Sequence, residues 1–430
     1  MKYKYIFIIL NCILTAFTQI IYHYTPANDS LSYLHLAKQY SEFIFFDPVT
    51  NCTGHPFYAF FLAIVGSIIS YNHFLIGFIQ TLIFCVSALF LIGELEKYLN
   101  KNLFGLVVII FLIPEIHFFN GYLLTESLAF SLILLIFSVA LRMYNREATL
   151  FNLFFLSFLI GLIVINRPEC VVCIFPALYL IFPKIKDKLI IRILIIISIP
   201  VFILMLNGYK NYKTFNVYKI TAFNGGEVIY GGNNENMDGS HHPFAQHIEI
   251  FIPKNKIDDF KKILSQPMCY TCPKQDSFYL NLAIDAWRKN TFQQLGVIPV
   301  KFAKNWLLPG NFDIYTSDTT KTRGLQFTKI LSKKYFNGKW YIPYKHLLYI
   351  IIHYILLSII IFGLFKIERK NRFQMAVLFL LMFFILFTIP FSGLPRWHVP
   401  IFPLLIITFT PFALVSRVEK IIKHFFRLNT

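Results

Sequence analysis

Residues 5–33 read YIFIILNCILTAFTQIIYHYTPANDSLSY. The first part, 5–22, is an apolar run close to the ~20 residues a helix needs to cross hydrocarbon. A short polar stretch carrying Asp29 follows it. No small-residue cleavage pattern comes after the run, so it reads as a retained helix and not as a removed signal. Similar Phe-, Ile- and Leu-rich runs recur through all 430 residues, of which 56% are hydrophobic, 18% aromatic and 14% charged. Backbone polar groups in lipid are satisfied only in helices or closed barrels, and these runs lack a two-residue alternation. The sequence therefore predicts an all-α polytopic membrane protein.

The formal charge of +18 invites a nucleic-acid reading, but its placement opposes it. Much of the charge falls in short loops: Lys2 and Lys4; Lys97 and Lys101; Arg142 and Arg146; Lys184, Lys186, Lys188 and Arg192; Lys366, Arg369, Lys370 and Arg372; Arg417, Lys420, Lys423 and Arg427. That is the positive-inside pattern, which sets orientation in the membrane and requires no nucleic-acid partner.

With those clusters on the cytoplasmic side, an even number of crossings must separate each from the next. Spans at 103–119 and 123–142, 150–166 and 169–183, 188–206 and 345–365, and 372–391 and 397–416 satisfy this. Between Lys4 and Lys97 lie three apolar stretches, 5–22, 56–70 and 73–92, so one should not cross. The segment from His55-Pro56 to Ser70 is short and begins with a Pro, so it is expected to lie on the outer surface or re-enter. About ten transmembrane helices remain, with both termini inside. Three regions follow: 1–206, holding the catalytic core and a first outer loop at 23–72; 207–344, a small mixed extracytoplasmic domain; and 345–430, the C-terminal helices. In the middle region, Asn224-Gly225-Gly226 and Gly231-Gly232-Asn233-Asn234 mark turns, and 276–289 and 292–307 read as helices, the latter crossed by Pro299.

Several ionisable residues fall on the outer face of this topology. Asp29 is followed at helical spacing by Tyr33, Leu36, Ala37 and Tyr40, which predicts an amphipathic helix at the lipid boundary. Asp29 is then either a helix cap or a base acting on something that arrives in lipid. Glu126, in Leu124-Thr125-Glu126-Ser127, opens a span from within an apolar run, where ionisable groups are costly; helix capping is its other reading. Glu115 and His117 are weaker candidates of the same kind. In Asn166-Arg167-Pro168-Glu169 the Arg offers a fork for phosphate, with an Arg167–Glu169 or Arg167–Asp29 ion pair as the structural alternative. In the Pro395–Pro403 stretch, Arg396 and His398 meet the outer end of the last span, as an interfacial anchor or a grip on a lipid phosphate. His55 belongs to the same face. Acids and cations gathered around a phosphate suit displacement at a carbon that bears a phosphate leaving group.

Cys12 and Cys85 look like ordinary apolar positions, and Cys170 and Cys173 lie one helical turn apart. Cys269-Tyr270-Thr271-Cys272 lacks further ligands at zinc spacing and reads as a local disulfide. The sequence has no Walker P-loop, no Rossmann glycine fingerprint and no G-x-S-x-G, so a cytosolic nucleotide-sugar donor is unsupported.

These motifs, in this order, resemble the GT-C class of integral-membrane glycosyltransferases, particularly protein O-mannosyltransferases and the enzymes that add aminoarabinose to lipid A. Asp29 with Tyr33 and Ala37 resembles the first-loop acid motif; His55-Pro56-Phe57-Tyr58 resembles the Pro-aromatic motif that follows. Thr125-Glu126, Arg167-Pro168 and Arg396–Pro403 resemble the later ones. The chain departs from its relatives in carrying Asp-Ser where some have Asp-Glu, His55 where the lipid A enzymes have Lys, and Glu126 where Asp is usual. The resemblance implies a multi-pass enzyme of a bacterial-type inner membrane, with its active site facing outward. It would move a sugar with inversion from a polyprenyl-phosphate donor to a lipid, glycan or protein acceptor. Asp29 would be the general base and Glu126 a supporting acid. Tyr33, His55, Arg167, Glu169, Arg396 and His398 would contact substrate. A divalent metal is left open, and no metal ligands are assigned. A polymerase or ligase of lipid-linked glycans, or a flippase, is the alternative.

Overall fold

The computed structural model describes residues 2–21, 28–47, 55–234, 252–266, 268–308, 324–327, 340–388 and 398–426. Helix α1 (Lys2–Ile21) shows what kind of fold this is. Its buried stripe is Phe7, Asn11, Thr15 and Gln19, while Tyr5, Ile6, Ile9, Leu10, Ile13, Phe17 and Ile20 face outward. Polar groups inside and large apolar side chains outside is the reverse of a helix in water. The buried Asn11, Thr15 and Gln19 side chains all make hydrogen bonds, as a lipid-facing bundle favours. The Asn11 amide donates to the Phe7 carbonyl (2.8 Å), Thr81 donates to Thr15 Oγ1 (3.1 Å), and Gln19 Nε2 donates to the Gly121 carbonyl (3.1 Å).

Helix α2 (Asn28–Ser41) follows, then α3 (Pro56–Ile69) and α4 (His73–Leu99). As the spacing predicts, Tyr33, Leu36, Ala37 and Tyr40 form the buried face of α2. Pro56 stands at the start of α3, where its missing N–H is harmless. Left-handed Ser70 (φ 53°) and Tyr71 (φ 55°) end it. At ~1.5 Å per residue, a helix of this length reaches roughly 21 Å, short of a ~30 Å hydrocarbon core. Asn72 caps α4 by accepting from Leu75 N (3.2 Å).

The next helices are α5 (Phe104–Phe111), α6 (Pro114–Gly121), α7 (Thr125–Asn145), α8 (Leu150–Asn166), α9 (Ile174–Ile185) and α10 (Leu189–Phe215). A 3-10 turn at Pro168–Cys173 precedes α9. The expected span 103–119 is broken: α5 and α6 meet at 58°, where Pro114 prevents a continuous helix. Helices α8 and α10 run parallel, with Ser157 Oγ donating to the Ile196 carbonyl (2.8 Å).

Helices α11 (Gly225–Gly232), α12 (Ile257–Leu264), α13 (Met268–Lys289) and α14 (Thr291–Leu307) form a second assembly around Tyr230, Ile252, Phe260, Tyr279 and Leu282. Asn233, in the expected Gly-Gly-Asn-Asn turn, ties it together by accepting at Oδ1 from Trp287 Nε1 (3.0 Å) and Lys301 Nζ (2.6 Å). Cys272 is disulfide-bonded, and the side chain of Cys269 lies outside the described residues. Strands β1 (Gly324–Phe327) and β2 (Trp340–Pro343) pair antiparallel, Gly324 opposite Pro343.

Helices α15 (Tyr344–Leu364), α16 (Arg372–Thr388), α17 (Phe402–Phe409) and α18 (Phe412–Phe426) complete the chain. The expected span 397–416 is not one straight helix, because α17 and α18 meet at 89° across Thr410-Pro411. Among the described residues, four helices are long and apolar enough to cross a membrane, or six if each bent pair is one span. Contacts sort the ends of the helices. Asn145 donates to the Glu94 carbonyl (2.9 Å), Arg372 N donates to Tyr98 Oη (3.1 Å), and Asn102 donates to Glu419 (3.3 Å). Basic clusters far apart in sequence therefore meet at one end of the bundle. At the other end, Gln19 meets His73 and Gly121.

Candidate functional site

At that second end, the termini of four segments converge. Asp29 sits in the first turn of α2, His55 immediately before α3, Glu126 in the first turn of α7, and Arg167 and Glu169 after α8. Arg167 is buried between two carboxylates: Nη1 lies 2.7 Å from Glu126 Oε1, and Nε donates to Glu169 Oε1. Thr125 donates to Glu126 (3.3 Å), and Asn166 donates to the Thr125 carbonyl (3.0 Å), fastening the start of α7 to the end of α8. The Arg167–Glu169 pair anticipated as the structural alternative is thus present, and a phosphate would have to share the guanidinium with it.

His55 stands among these charges. Burial lowers its pKa, with Glu169 acting against this, Arg167 with it, and Asp29 and Glu126 against it. Burial therefore favours the neutral imidazole, which can still hydrogen-bond to a phosphate. Tyr33 packs edge-on to it (5.8 Å between centroids) and to Tyr58 (5.3 Å). Tyr58 donates to Gln80 Oε1 (2.7 Å), whose amide holds the Asn120 carbonyl (2.8 Å) and the Tyr122 carbonyl (3.2 Å). A buried polar chain therefore fixes Tyr33 and His55 relative to the α6–α7 turn.

Glu227, on α11, is a further acid at this site. Burial raises its pKa, and the negative charges of Asp276 and Asp29 raise it further. Asp29 thus acts electrostatically on both His55 and Glu227. The close approach of Gly226 to Asp276 sets where α11 places Glu227. Asp276 Oδ1 accepts from Gly226 N (2.8 Å) at the start of α11, and its Oδ2 pairs with Lys219. A Cβ on Gly226 would lie 2.0 Å from the Asp276 carbonyl oxygen. The sequence read Asn224-Gly225-Gly226 as a turn, but Gly225 and Gly226 open helix α11, and Glu227 was not singled out.

The other expected contacts divide. Arg396 lies outside the described residues. His398 joins Glu115 and His353, and these three form the one group among the described residues close enough to hold a metal ion. His117, the weaker candidate near Glu115, is buried with Nε2 2.8 Å from the Phe111 carbonyl. Lys210, on α10, donates to Tyr40 Oη (3.0 Å), which brings a cation to the far half of α2.

No family model matches the sequence, and no curated protein matches it either. Among solved structures, the chain is similar to the Archaeoglobus fulgidus oligosaccharyltransferase in its apo form. The TM-score is 0.50 and the identity 13%, with 99% of this chain and 51% of that one covered. The chain spans about half the length of that solved structure. At this identity the likeness is one of fold: from end to end, the chain shares the architecture of part of a membrane oligosaccharyltransferase.

Proposed function

We propose that this chain is an inverting GT-C-type glycosyltransferase using a polyprenyl-phosphate-linked sugar at the outer face of a bacterial-type inner membrane. The observation that carries the reading is the convergence of Asp29, His55, Glu126, Arg167 and Glu169 from four separate segments of a fold shared with an oligosaccharyltransferase. Asp29 takes the proton of an acceptor hydroxyl or amine. The freed lone pair attacks the anomeric carbon as the bond to the phosphate oxygen breaks on the opposite face, and the lipid phosphate leaves. His55 donates a hydrogen bond toward the departing phosphate. Glu126 and Glu169 hold Arg167 with part of its fork facing the same charge, and Arg396 is a further candidate for the phosphate side. Glu227 faces Asp29 from the 207–344 domain and orients the acceptor.

About ten spans support this orientation. The bent pairs count as one each, the run Pro168–Phe215 turns at Lys186–Lys188 to supply two, and Tyr5–Ile20, Leu150–Asn166 and Arg372–Thr388 cross as short helices. Transfer of a preassembled glycan is the second reading, favoured because the solved neighbour is an oligosaccharyltransferase. Protein reconstituted with polyprenyl-phosphate monosaccharides or lipid-linked oligosaccharides, each with candidate acceptors, separates the two. Transfer from the first kind of donor only is expected. Full transfer by the Asp29→Asn variant would end the assignment of Asp29 as the base.

A further inference from the structure

Glu115 on α6, His353 on α15 and His398 just before α17 come from three segments distant in sequence, and all are at most 1% exposed. Each offers a ligand atom within 4.8 Å of the other two. We propose that these three side chains bind one zinc ion, which clamps α6, α15 and the start of α17 to the end of α14.

The donor set points to the metal. Two imidazoles and one carboxylate suit zinc and its first-row neighbours, whereas calcium and magnesium favour oxygen ligands throughout. His398 Nδ1 lies 2.7 Å from the Asn305 carbonyl, which can only accept, so Nδ1 carries the proton and Nε2 presents its lone pair. This outer hydrogen bond links the site to α14, on which Asn305 lies. His353 Nδ1 contacts Glu115 Oε1, and Glu115 Oε2 has no hydrogen-bond partner among the described residues. A plain Glu–His pair leaves that oxygen unused. A zinc ion instead displaces the shared proton, sits between imidazole and carboxylate, and takes His398 Nε2 as its third protein ligand. Water or a fourth group completes the shell.

The rings are already held for this. His353 stacks on Phe402 (5.3 Å, 16° between planes), His398 meets the same ring edge-on (5.3 Å), and Trp306 packs against His398 at 6.2 Å. An aromatic collar of this kind fixes ligand direction and keeps bulk water out. The site also fits the broken helix, since Pro114 opens α6 and its next residue is the ligand Glu115.

The test uses the full chain in nanodiscs, stripped with EDTA, given zinc alone and dialysed, with metal measured by mass spectrometry. About one zinc per chain is expected. His353→Gln and His398→Gln should each weaken retention at least tenfold, as loss of a ligand or its support does. His35→Gln, an exposed position on α2, should leave it unchanged. In case the variants fold poorly, the intact protein loaded with cobalt in place of zinc should show the intense visible bands of four-coordinate Co(II). Wild-type protein that retains no zinc, equal retention in both ligand variants, or a six-coordinate cobalt spectrum would each overturn the proposal. No readout depends on sugar transfer, so this site and the transferase reading stand or fall separately.

Discussion

Arg167 has a carboxylate on either side in a buried setting, and this decides what its substitution does. Removing the cation leaves Glu126 and Glu169 unpaired, which costs about 3–5 kcal/mol where a buried pair is broken. Arg167→Ala should therefore lower the thermal unfolding midpoint in detergent well below that of Glu126→Gln or Glu169→Gln. Adding both Gln substitutions to Arg167→Ala should recover part of the loss. An unchanged midpoint for Arg167→Ala would show that the network does not hold the fold. His55 gives a pH signature. Its folded pKa lies below the ordinary value of ~6.5, so the unfolded chain binds the extra proton first as pH falls. The stability it contributes is complete above ~6.5 and is lost as pH drops through the folded value. Unfolding midpoints followed from neutral to mildly acid pH should fall less steeply in His55→Gln than in wild type. The sequence made Asp29, Glu126, Arg167 and Glu169 legible because charges beside apolar runs stand out. It did not reveal that Arg167 also pairs with Glu126, or that burial lowers the pKa of His55, because both depend on how distant segments pack.

Two adjacent glycines on α11 make opposite predictions. A Cβ on Gly226 would strike the Asp276 carbonyl oxygen at 2.0 Å, whereas one on Gly225 would meet only Asp276 Oδ1 at 4.0 Å. Gly226→Ala should push α11 off α13, cost about 1–3 kcal/mol as overpacking does, and carry Glu227 away from Asp29. Gly225→Ala should be nearly neutral in both stability and sugar transfer. Equal behaviour of the two variants in unfolding and transfer assays would remove Glu227 from the site. Helix α2 and the start of α3 were legible from spacing and from a Pro at the right place. The breaks within 103–119 and 397–416 were harder to read, because apolar residues continue across each of them. His353 is the instructive omission: a histidine inside the run Tyr349–Leu357 is an ionisable group at membrane depth, and its partners Glu115 and His398 lie far off in sequence.

Across the whole molecule, the charge clusters and the candidate site sit at opposite ends of one bundle, which the sequence implied and contacts such as Arg372–Tyr98 and Gln19–Gly121 now describe. The proposed orientation, with the basic end inside, is directly testable. A cysteine at exposed Ser70 should react with a membrane-impermeant reagent added outside intact cells, and one at exposed Asn102 should not. The opposite labelling would invert the topology and put Asp29 in the cytoplasm. In the region around 207–344 the helices at 276–289 and 292–307 were legible, matching α13 and α14, but the packing was not, since it depends on single long-range ties such as Asn233 to Lys301. The most direct measurement of the central claim is a deletion strain complemented with wild type or Asp29→Asn, its envelope lipids, glycans and glycoproteins compared by mass spectrometry. The account predicts that one species lacks a sugar in the deletion and in the Asp29→Asn strain, and that wild type restores it. Identical profiles in all three strains, or full restoration by Asp29→Asn, would contradict it.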